Sequence, residues 1–71
     1  MKIREYSRKN YKAEIHRVFI VVGDRVQRMY QLRSFFFDKP WSRILFENDS
    51  DAYQFSKDEF KELPIYFNKR I

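Results

Sequence analysis

The chain has 71 residues, a net charge of +5 and no cysteine, so we expect one small domain without disulfides or thiolate-bound metals. Aromatic residues make up 20% of the chain, which argues against intrinsic disorder as its overall state. The longest apolar run, Val18–Val22, is far too short to span a membrane, and residues 1–12 carry no apolar signal segment. We therefore expect a cytoplasmic protein without a membrane partner.

The positive charge is concentrated in the first half of the chain. Residues 1–33 carry a net charge of +6, and residues 34–71 carry a net charge of −1. Residues 1–12 mix cations with tyrosines and show no clear period. We predict that they form a basic N-terminal arm, either loosely ordered or paired as a short edge strand. Residues 13–71 are predicted to form a single small β-rich domain.

Residues 13–22 alternate in a pattern typical of a strand, and β-branched residues dominate the end of the run. Gly23 and Asp24 then predict a two-residue hairpin turn, because glycine readily adopts the positive φ that such a turn requires. With this turn, Glu14 stands opposite Arg33, and apolar side chains from both strands share one face. That face is the predicted core.

A helix is the alternative for residues 24–37. Asp24 and Gln27 are spaced as in a capping box, and the segment contains several good helix formers. Its valine, tyrosine and phenylalanine residues favour a strand instead. We therefore predict the hairpin and keep an α+β fold with a helix at 24–37 as the alternative.

Pro40 interrupts the strand pattern, because proline cannot donate a ladder hydrogen bond. Beyond it we predict strands at 42–47 and 52–55. A polar turn at 48–51 joins them, since its Asn, Asp and Ser side chains readily bond their own backbone.

Ser56–Glu59 has the sequence of a capping box. Pro64 follows closely and is expected to end any helix, so we predict one short helical turn near 57–63 and a last strand at 65–67. This order of elements resembles small five-stranded SH3-like barrels, in which a helical turn separates the last two strands. The resemblance concerns architecture only. It implies a mostly β, barrel-like module and assigns no functional residue.

Metal and cofactor chemistry has little support, since the chain has one histidine, no cysteine and no glycine-rich loop. Glu47, Asp49 and Asp51 alternate as in a calcium loop, but the glycine that such a loop needs is absent. His16 lies close to Glu14, and a base beside a carboxylate would suit a metal-free ribonuclease. We keep that activity as an alternative and otherwise expect no enzyme, no metal and no cofactor.

Nucleic acid is the partner that the basic half of the chain favours. A protein that binds DNA or RNA needs cations for the phosphates and, for single strands, exposed rings on which bases stack. Phe35, Phe37 and Trp41 are candidate rings. We predict that the nucleic acid is contacted by cations and one tyrosine of the first half: Arg4, Arg8, Lys9, Lys12, Arg25, Arg28, Arg33 and Tyr11.

Binding of a protein is the other hypothesis. Val18, Ile20, Val22 and Met29 form an apolar strip on the second face of the predicted hairpin. A small single sheet cannot cover both of its faces, and an uncovered apolar strip is typical of an interface. The strip therefore predicts a site for a single protein partner, as in a small inhibitor or adaptor, or for a second copy of the chain.

Overall fold

A computed structural model describes the backbone of residues 1–68 and the side chains of residues 1–63. Within that part, four strands form one antiparallel sheet in the order β1-β2-β3-β4, and one helix follows them. The elements are β1 (Lys2–Arg8), β2 (Tyr11–Val22), β3 (Arg25–Phe36), β4 (Lys39–Phe46) and α1 (Asp49–Asn68). The predicted mostly β character is confirmed. The five strands and the barrel are not, because the sheet is open and has four strands.

The hairpin of β2 and β3 forms in the predicted register, with Val22 paired with Arg25 across the turn. Gly23 has a φ of +63°, and no heavy atom would lie within 4 Å of an added Cβ. The turn therefore needs glycine for its backbone conformation and not for space. The alternative helix at 24–37 is wrong, since β3 pairs along its whole length with β2 and places Leu32 in the core.

The N-terminal segment is an edge strand of this sheet. Arg8 of β1 pairs with Tyr11 of β2, and Lys9 in the intervening turn has a φ of 53°. Of the two forms predicted for residues 1–12, the structure therefore has the short edge strand. Tyr11 already belongs to β2, which begins before the predicted residue 13.

The largest difference from the sequence prediction is α1. This helix occupies the predicted strand at 52–55, the predicted helical turn at 57–63 and the predicted strand at 65–67. It also continues past Pro64, so the predicted end of the helix at that residue is wrong. With these segments in a helix, the last two strands that a five-stranded barrel requires do not exist.

The polar segment before α1 begins a helix and not a turn between strands. Asn48 is the N-cap residue, since its carbonyl oxygen accepts a hydrogen bond from the Ala52 N–H at 3.3 Å. Its side-chain amide donates to Asp51 Oδ2 at 3.0 Å. Asp49 and Asp51 lie in the first turn, where carboxylates are favoured by the exposed N–H groups and the helix dipole. Asp49 and Asp51, which alternate as in a calcium loop, therefore belong to the N-terminal turn of a helix.

α1 packs against one face of the sheet, here called the helix side, and leaves the opposite open face without a covering element among the described residues. Successive side chains of a strand point to opposite faces, and paired residues of antiparallel strands share a face. Lys12, Glu14 and His16 alternate with the buried residues of β2 and therefore lie on the open face. The buried core contains apolar residues of β2, β3 and α1: Tyr11, Ala13, Ile15, Leu32, Ala52 and Leu63.

A polar network joins α1 to the helix side of the sheet. The Tyr11 hydroxyl donates to Glu59 Oε1 at 2.6 Å, and the Ser42 hydroxyl donates to the same oxygen at 3.2 Å. The hydroxyls of Ser34 and Ser42 lie 2.6 Å apart. Burial, together with the neighbouring Glu59 carboxylate, raises the pKa of Tyr11 far above its usual range. Tyr11 therefore stays a hydrogen-bond donor, and the network fixes the position of the helix.

Candidate functional site

Two arginines face each other on the open face. Arg33 of β3 pairs with Arg43 of β4, and like charges directly opposite each other repel. The Arg33 Nε–H donates to Gln31 Oε1 at 2.8 Å. Neither arginine forms an ion pair with a carboxylate among the described residues. The pair therefore offers two guanidinium groups, and each can bind an oxyanion through two parallel N–H bonds.

Glu14 and Glu5, two carboxylates of the open face, already have cationic partners, whereas Asp38 lies in the β3–β4 turn and lines the cleft that Lys9 and Lys12 border. Glu14 lies 3.3 Å from Lys12 Nζ and 2.9 Å from His16 Nε2, and Glu5 lies 2.8 Å from Lys2 Nζ. The hydrogen bond with His16, and after it the contact with Lys12, lowers the pKa of Glu14. The hydrogen bond and charge of Lys2 lower the pKa of Glu5 in the same way. These carboxylates stay ionised and paired, so they leave the arginine pair without a counterion.

An irregular pairing in β4 places a ring beside the arginines. Ser34 pairs with Ser42 but Phe35 pairs with Pro40, so Trp41 is the extra residue of a β-bulge, a feature that redirects a side chain. The Trp41 side chain is 42% exposed. It borders a cleft of about 310 Å³ that is also lined by both arginines, Phe35 and Pro40. Cations and rings therefore line one concave surface.

The turn between β3 and β4 adds a second exposed ring. Phe37 and Asp38 have φ values of 53° and 64°, and a bulky residue in this left-handed region costs about 1–2 kcal/mol. Phe37 is nevertheless 55% exposed. It borders a cleft of about 350 Å³ together with Lys9, Lys12 and Phe35. Its ring packs edge-on against that of Phe36, with 4.6 Å between the ring centres, and the rest of the ring borders the cleft.

The two clefts meet at Phe35, which lines both of them. Lys12 Nζ lies 5.6 Å from the centre of the Phe35 ring, within the range of a cation–π contact. We call this continuous surface the basic–aromatic face, and it consists of Lys9, Lys12, Arg33, Arg43, Phe35, Phe37 and Trp41.

The structure thus brings three of the predicted cations together, Lys9, Lys12 and Arg33. Two others of the predicted cations, Arg4 and Arg8, lie on the helix side, because alternate residues of β1 point toward α1. Arg4 Nη1 lies 2.7 Å from Asp49 Oδ1, and the Arg4 guanidinium is 4.1 Å from the centre of the Tyr53 ring. The Arg8 guanidinium lies 5.6 Å from the centre of the Phe60 ring. Arg4 and Arg8 contact the helix and are not part of the basic–aromatic face.

The remaining predicted residues are elsewhere. Arg25 and Arg28 lie near the tip of the β2–β3 hairpin, on opposite faces of β3. Tyr11 is 1% exposed and donates to Glu59, so its ring lies in the core and has no surface on which a base can stack. Sequence reasoning had missed Arg43, which the alternation within residues 42–47 places on the face of Arg33 once the two strands pair.

The predicted apolar strip lies on the open face of the hairpin. Val18, Ile20 and Met29 are half-buried, and Val22 is exposed. Val18 pairs with Met29, whereas Ile20 pairs with Gln27 and Val22 with Arg25. The strip is therefore apolar along β2 and bordered by polar side chains of β3, at the end of the sheet away from the basic–aromatic face.

The His16–Glu14 contact proposed for catalysis is present, with 2.9 Å between His16 Nε2 and Glu14 Oε1. However, neither cleft on the basic–aromatic face is lined by His16. No group of three or more His, Cys, Asp or Glu residues that could hold a metal ion occurs among the described residues. His16 and Glu14 therefore lie outside both clefts of the basic–aromatic face.

No protein-family model, curated protein or solved structure is significantly similar to the chain. The described part of the chain contains no helix that is long and apolar enough to cross a membrane. The two arginines and the rings beside them determine which ligands this surface can bind. They can bind anions and planar groups side by side.

Proposed function

We propose that the protein is a nucleic-acid-binding module that contacts single-stranded DNA or RNA through its basic–aromatic face. The observation that supports this most is the opposition of Arg33 and Arg43, which have no carboxylate partner within the described part of the chain, beside the exposed Trp41 ring. Phosphates of the backbone would bind the guanidinium groups, and bases would stack on the rings. The cytoplasmic setting stays a prediction.

The electrostatics of the face favour a polyanion. Two like charges on neighbouring strands destabilise the free protein, and a phosphate between them converts that repulsion into two attractions. Lys9 and Lys12 lie on the far side of Phe35, so cations flank the rings on both sides. A single strand can place its phosphates along such a series of cations while its bases remain free to stack, whereas a duplex keeps its bases paired inside.

Salt dependence tests the phosphate contacts. The affinity for a short single-stranded oligonucleotide is measured by fluorescence anisotropy over a range of salt concentrations. Each phosphate contact contributes about −0.7 to the slope of log affinity against log salt. The double variant Arg33→Gln/Arg43→Gln should therefore make the slope shallower by about 1.4.

The matched control removes the same number of charges from α1, in the double variant Lys57→Gln/Lys61→Gln. Both lysines lie on the helix and away from the basic–aromatic face, so this variant should keep the slope of the original protein. An equal effect of the two double variants would mean that binding depends only on net charge. The proposal would then be wrong, as it would be if the original protein bound no oligonucleotide at low salt.

Stacking is tested separately with Trp41→Leu, which keeps the net charge. Loss of base stacking costs about 1–3 kcal/mol per base, or roughly a 5- to 150-fold loss of affinity. The slope against salt should not change, because no phosphate contact is lost. An unchanged affinity would remove the rings from the proposal and leave only an electrostatic surface.

Protein binding through the hairpin is the second candidate function, and one specific observation favours it. The hairpin end exposes large apolar side chains on the helix side as well as on the open face, with Phe19 62% and Val21 75% exposed. Apolar surface on both faces of one ribbon is typical of an interaction site.

A further inference from the structure

The cleft beside Arg33 and Arg43, here called the arginine cleft, carries charges of one sign. Its volume is about 310 Å³, and the two guanidinium groups are the only charged groups among the described residues that line it. The other cleft of the basic–aromatic face is different, because Asp38 lines it together with Lys9 and Lys12. The arginine cleft therefore concentrates two positive charges that no lining carboxylate of the described residues offsets.

The two guanidinium groups can bind one anionic group together. Paired residues of antiparallel strands have Cβ atoms about 4.5–5.5 Å apart, so the two side chains begin close to each other. The Arg33 Nε–H donates to Gln31 Oε1 at 2.8 Å, which leaves the N–H groups of both Nη atoms for a ligand. The Arg43 side chain forms no hydrogen bond or ion pair within the described part of the chain. A tetrahedral oxyanion between them can therefore accept N–H bonds from both arginines.

The charge of a phosphate distinguishes the end of a nucleic-acid strand from its interior. A phosphodiester inside the strand carries one negative charge, whereas a phosphomonoester carries about −1.5 to −2 at pH 7. A diester between the two arginines leaves one positive charge without compensation, and a monoester compensates both charges. Two cations opposed at one point of the sheet therefore match a terminal phosphate better than an internal one.

The cations of the basic–aromatic face also end at the arginine cleft. β4 is the last strand of the sheet, and the next residue of β4 on the same face is Leu45, which is uncharged and 45% exposed. On β3 the next cation of this face is Arg25, eight residues before Arg33 and therefore roughly 26 Å away. A strand that runs from Lys12 across Phe35 thus meets its last nearby cations at the arginine cleft.

We propose that the arginine cleft binds the phosphomonoester at one end of a single-stranded nucleic acid. This inference rests on the proposed function and names the part of the strand that the two arginines bind. Lys9 and Lys12 then contact internal phosphates, and Phe35 and Trp41, whose residues line the arginine cleft, stack against the terminal base. The volume of the cleft lies at the lower end of the range for small-ligand sites, which suits one terminal nucleotide better than a longer segment.

Oligonucleotides that differ only at their ends test this inference. One single strand with an internal fluorophore is prepared with a 5′ phosphate, with a 3′ phosphate, and with hydroxyl groups at both ends. A hydroxyl-ended strand that is one nucleotide longer carries as many phosphates as the phosphorylated forms and is the reference for total charge. Fluorescence anisotropy near neutral pH should show that one phosphorylated form binds at least about tenfold more tightly than this reference, the effect of one further hydrogen bond between charged groups.

Two single variants locate the effect on the protein. Arg43→Gln removes one charge from the arginine cleft and should reduce the preference for the phosphorylated end to about twofold or less. Lys12→Gln is the matched control, because Lys12 belongs to the same face but does not line the arginine cleft. This control should weaken the binding of all strands alike and keep the preference. Circular dichroism checks that each variant is folded.

The pH dependence of the preference tests whether the doubly charged phosphate is bound. A phosphomonoester loses its second charge below about pH 6, whereas arginine stays charged. The preference should therefore be complete at about pH 7.5 and decrease to about twofold or less at about pH 5. Glu5, Glu14, His16 and Asp38 do not line the arginine cleft, so their protonation changes the affinity for both strands and not the ratio.

Three results would overturn the inference. The first is equal affinity for the phosphorylated strands and for the longer hydroxyl-ended strand. The second is an Arg43→Gln variant that keeps the full preference, and the third is a preference that is the same at about pH 5 and about pH 7.5. In each case the protein still binds single strands, so the proposed function stands while recognition of the end fails. An original protein that binds none of the strands would overturn the proposed function and this inference with it.

Discussion

The hydroxyl of Tyr11 is the single polar atom whose removal should most weaken the attachment of α1 to the sheet. It donates to Glu59 Oε1 at 2.6 Å in a partly buried position, and a hydrogen bond to a charged group contributes about 1.5–3 kcal/mol. We expect Tyr11→Phe to lower the free energy of unfolding by about 2 kcal/mol, since Ser42 still donates to the same carboxylate. A domain of this length has roughly 4–10 kcal/mol in total.

Urea denaturation followed by circular dichroism measures this loss. In a thermal melt it corresponds to a decrease of roughly 8–16 °C in the melting temperature. Tyr6→Phe is the matched control, because Tyr6 is also half-buried beside Phe60 and its hydroxyl makes no hydrogen bond among the described residues. The control should change stability by less than about 0.5 kcal/mol. Equal losses in the two variants would refute the role of the Glu59 contact.

The pH dependence of the stability of the original protein and of Tyr11→Phe gives a second check. The folded state raises the pKa of Tyr11, so the stability that this group contributes is complete below the ordinary tyrosine pKa of about 10 and is lost as the pH rises beyond it. The difference between the original protein and Tyr11→Phe should therefore be constant from about pH 6 to 9 and decrease above about pH 10. A difference that already decreases near neutral pH would contradict the buried, protonated state.

Three further predictions concern stability. Gly23→Ala should lower the free energy of unfolding in urea by about 1–2 kcal/mol, entirely from the φ of +63°, since no atom lies near an added Cβ; no loss would contradict this. Asn48→Ala removes the amide that donates to Asp51, so it should cost about 0.5–1 kcal/mol and lower helicity at the start of α1, and unchanged helicity would argue against a role for this contact. Because His16 lowers the pKa of Glu14, Glu14→Gln should be less stable than the original protein at pH 7. That difference should disappear as the pH falls below the usual glutamate pKa of about 4.3, and a difference that grows on acidification would reverse the sign.

The hairpin could be predicted because its determinants are local. The sole glycine stands between two alternating segments, and the period of a strand fixes every pair once the turn length is known. The register in the structure is the predicted one along the whole of β2 and β3. By contrast, the N-terminal segment has no clear period, and its strand depends on the neighbouring β2 edge.

The helix was missed partly because two of its fully buried residues are small. Ala52 and Ser56 are fully buried beside the sheet, but neither counts as a large apolar residue, so the helical period is weak and the alternation of Tyr53 and Phe55 suggests a strand. Ser56–Glu59 also has the sequence of a helix N-terminus, although it lies inside α1. Inside α1 its hydroxyl donates to the Tyr53 carbonyl at 2.6 Å, a local bond that serine makes within helices as well as at caps.

The charge asymmetry along the sequence was a weaker guide to the site than the alternation within each strand. Arg4 and Arg8 belong to the basic half but point to the helix side, where they contact Tyr53 and Phe60. Arg43 belongs to the other half, which has no net positive charge, yet it completes the arginine pair. The pairing of β3 with β4 and the bulge at residue 41 set this arrangement, and neither can be derived from composition.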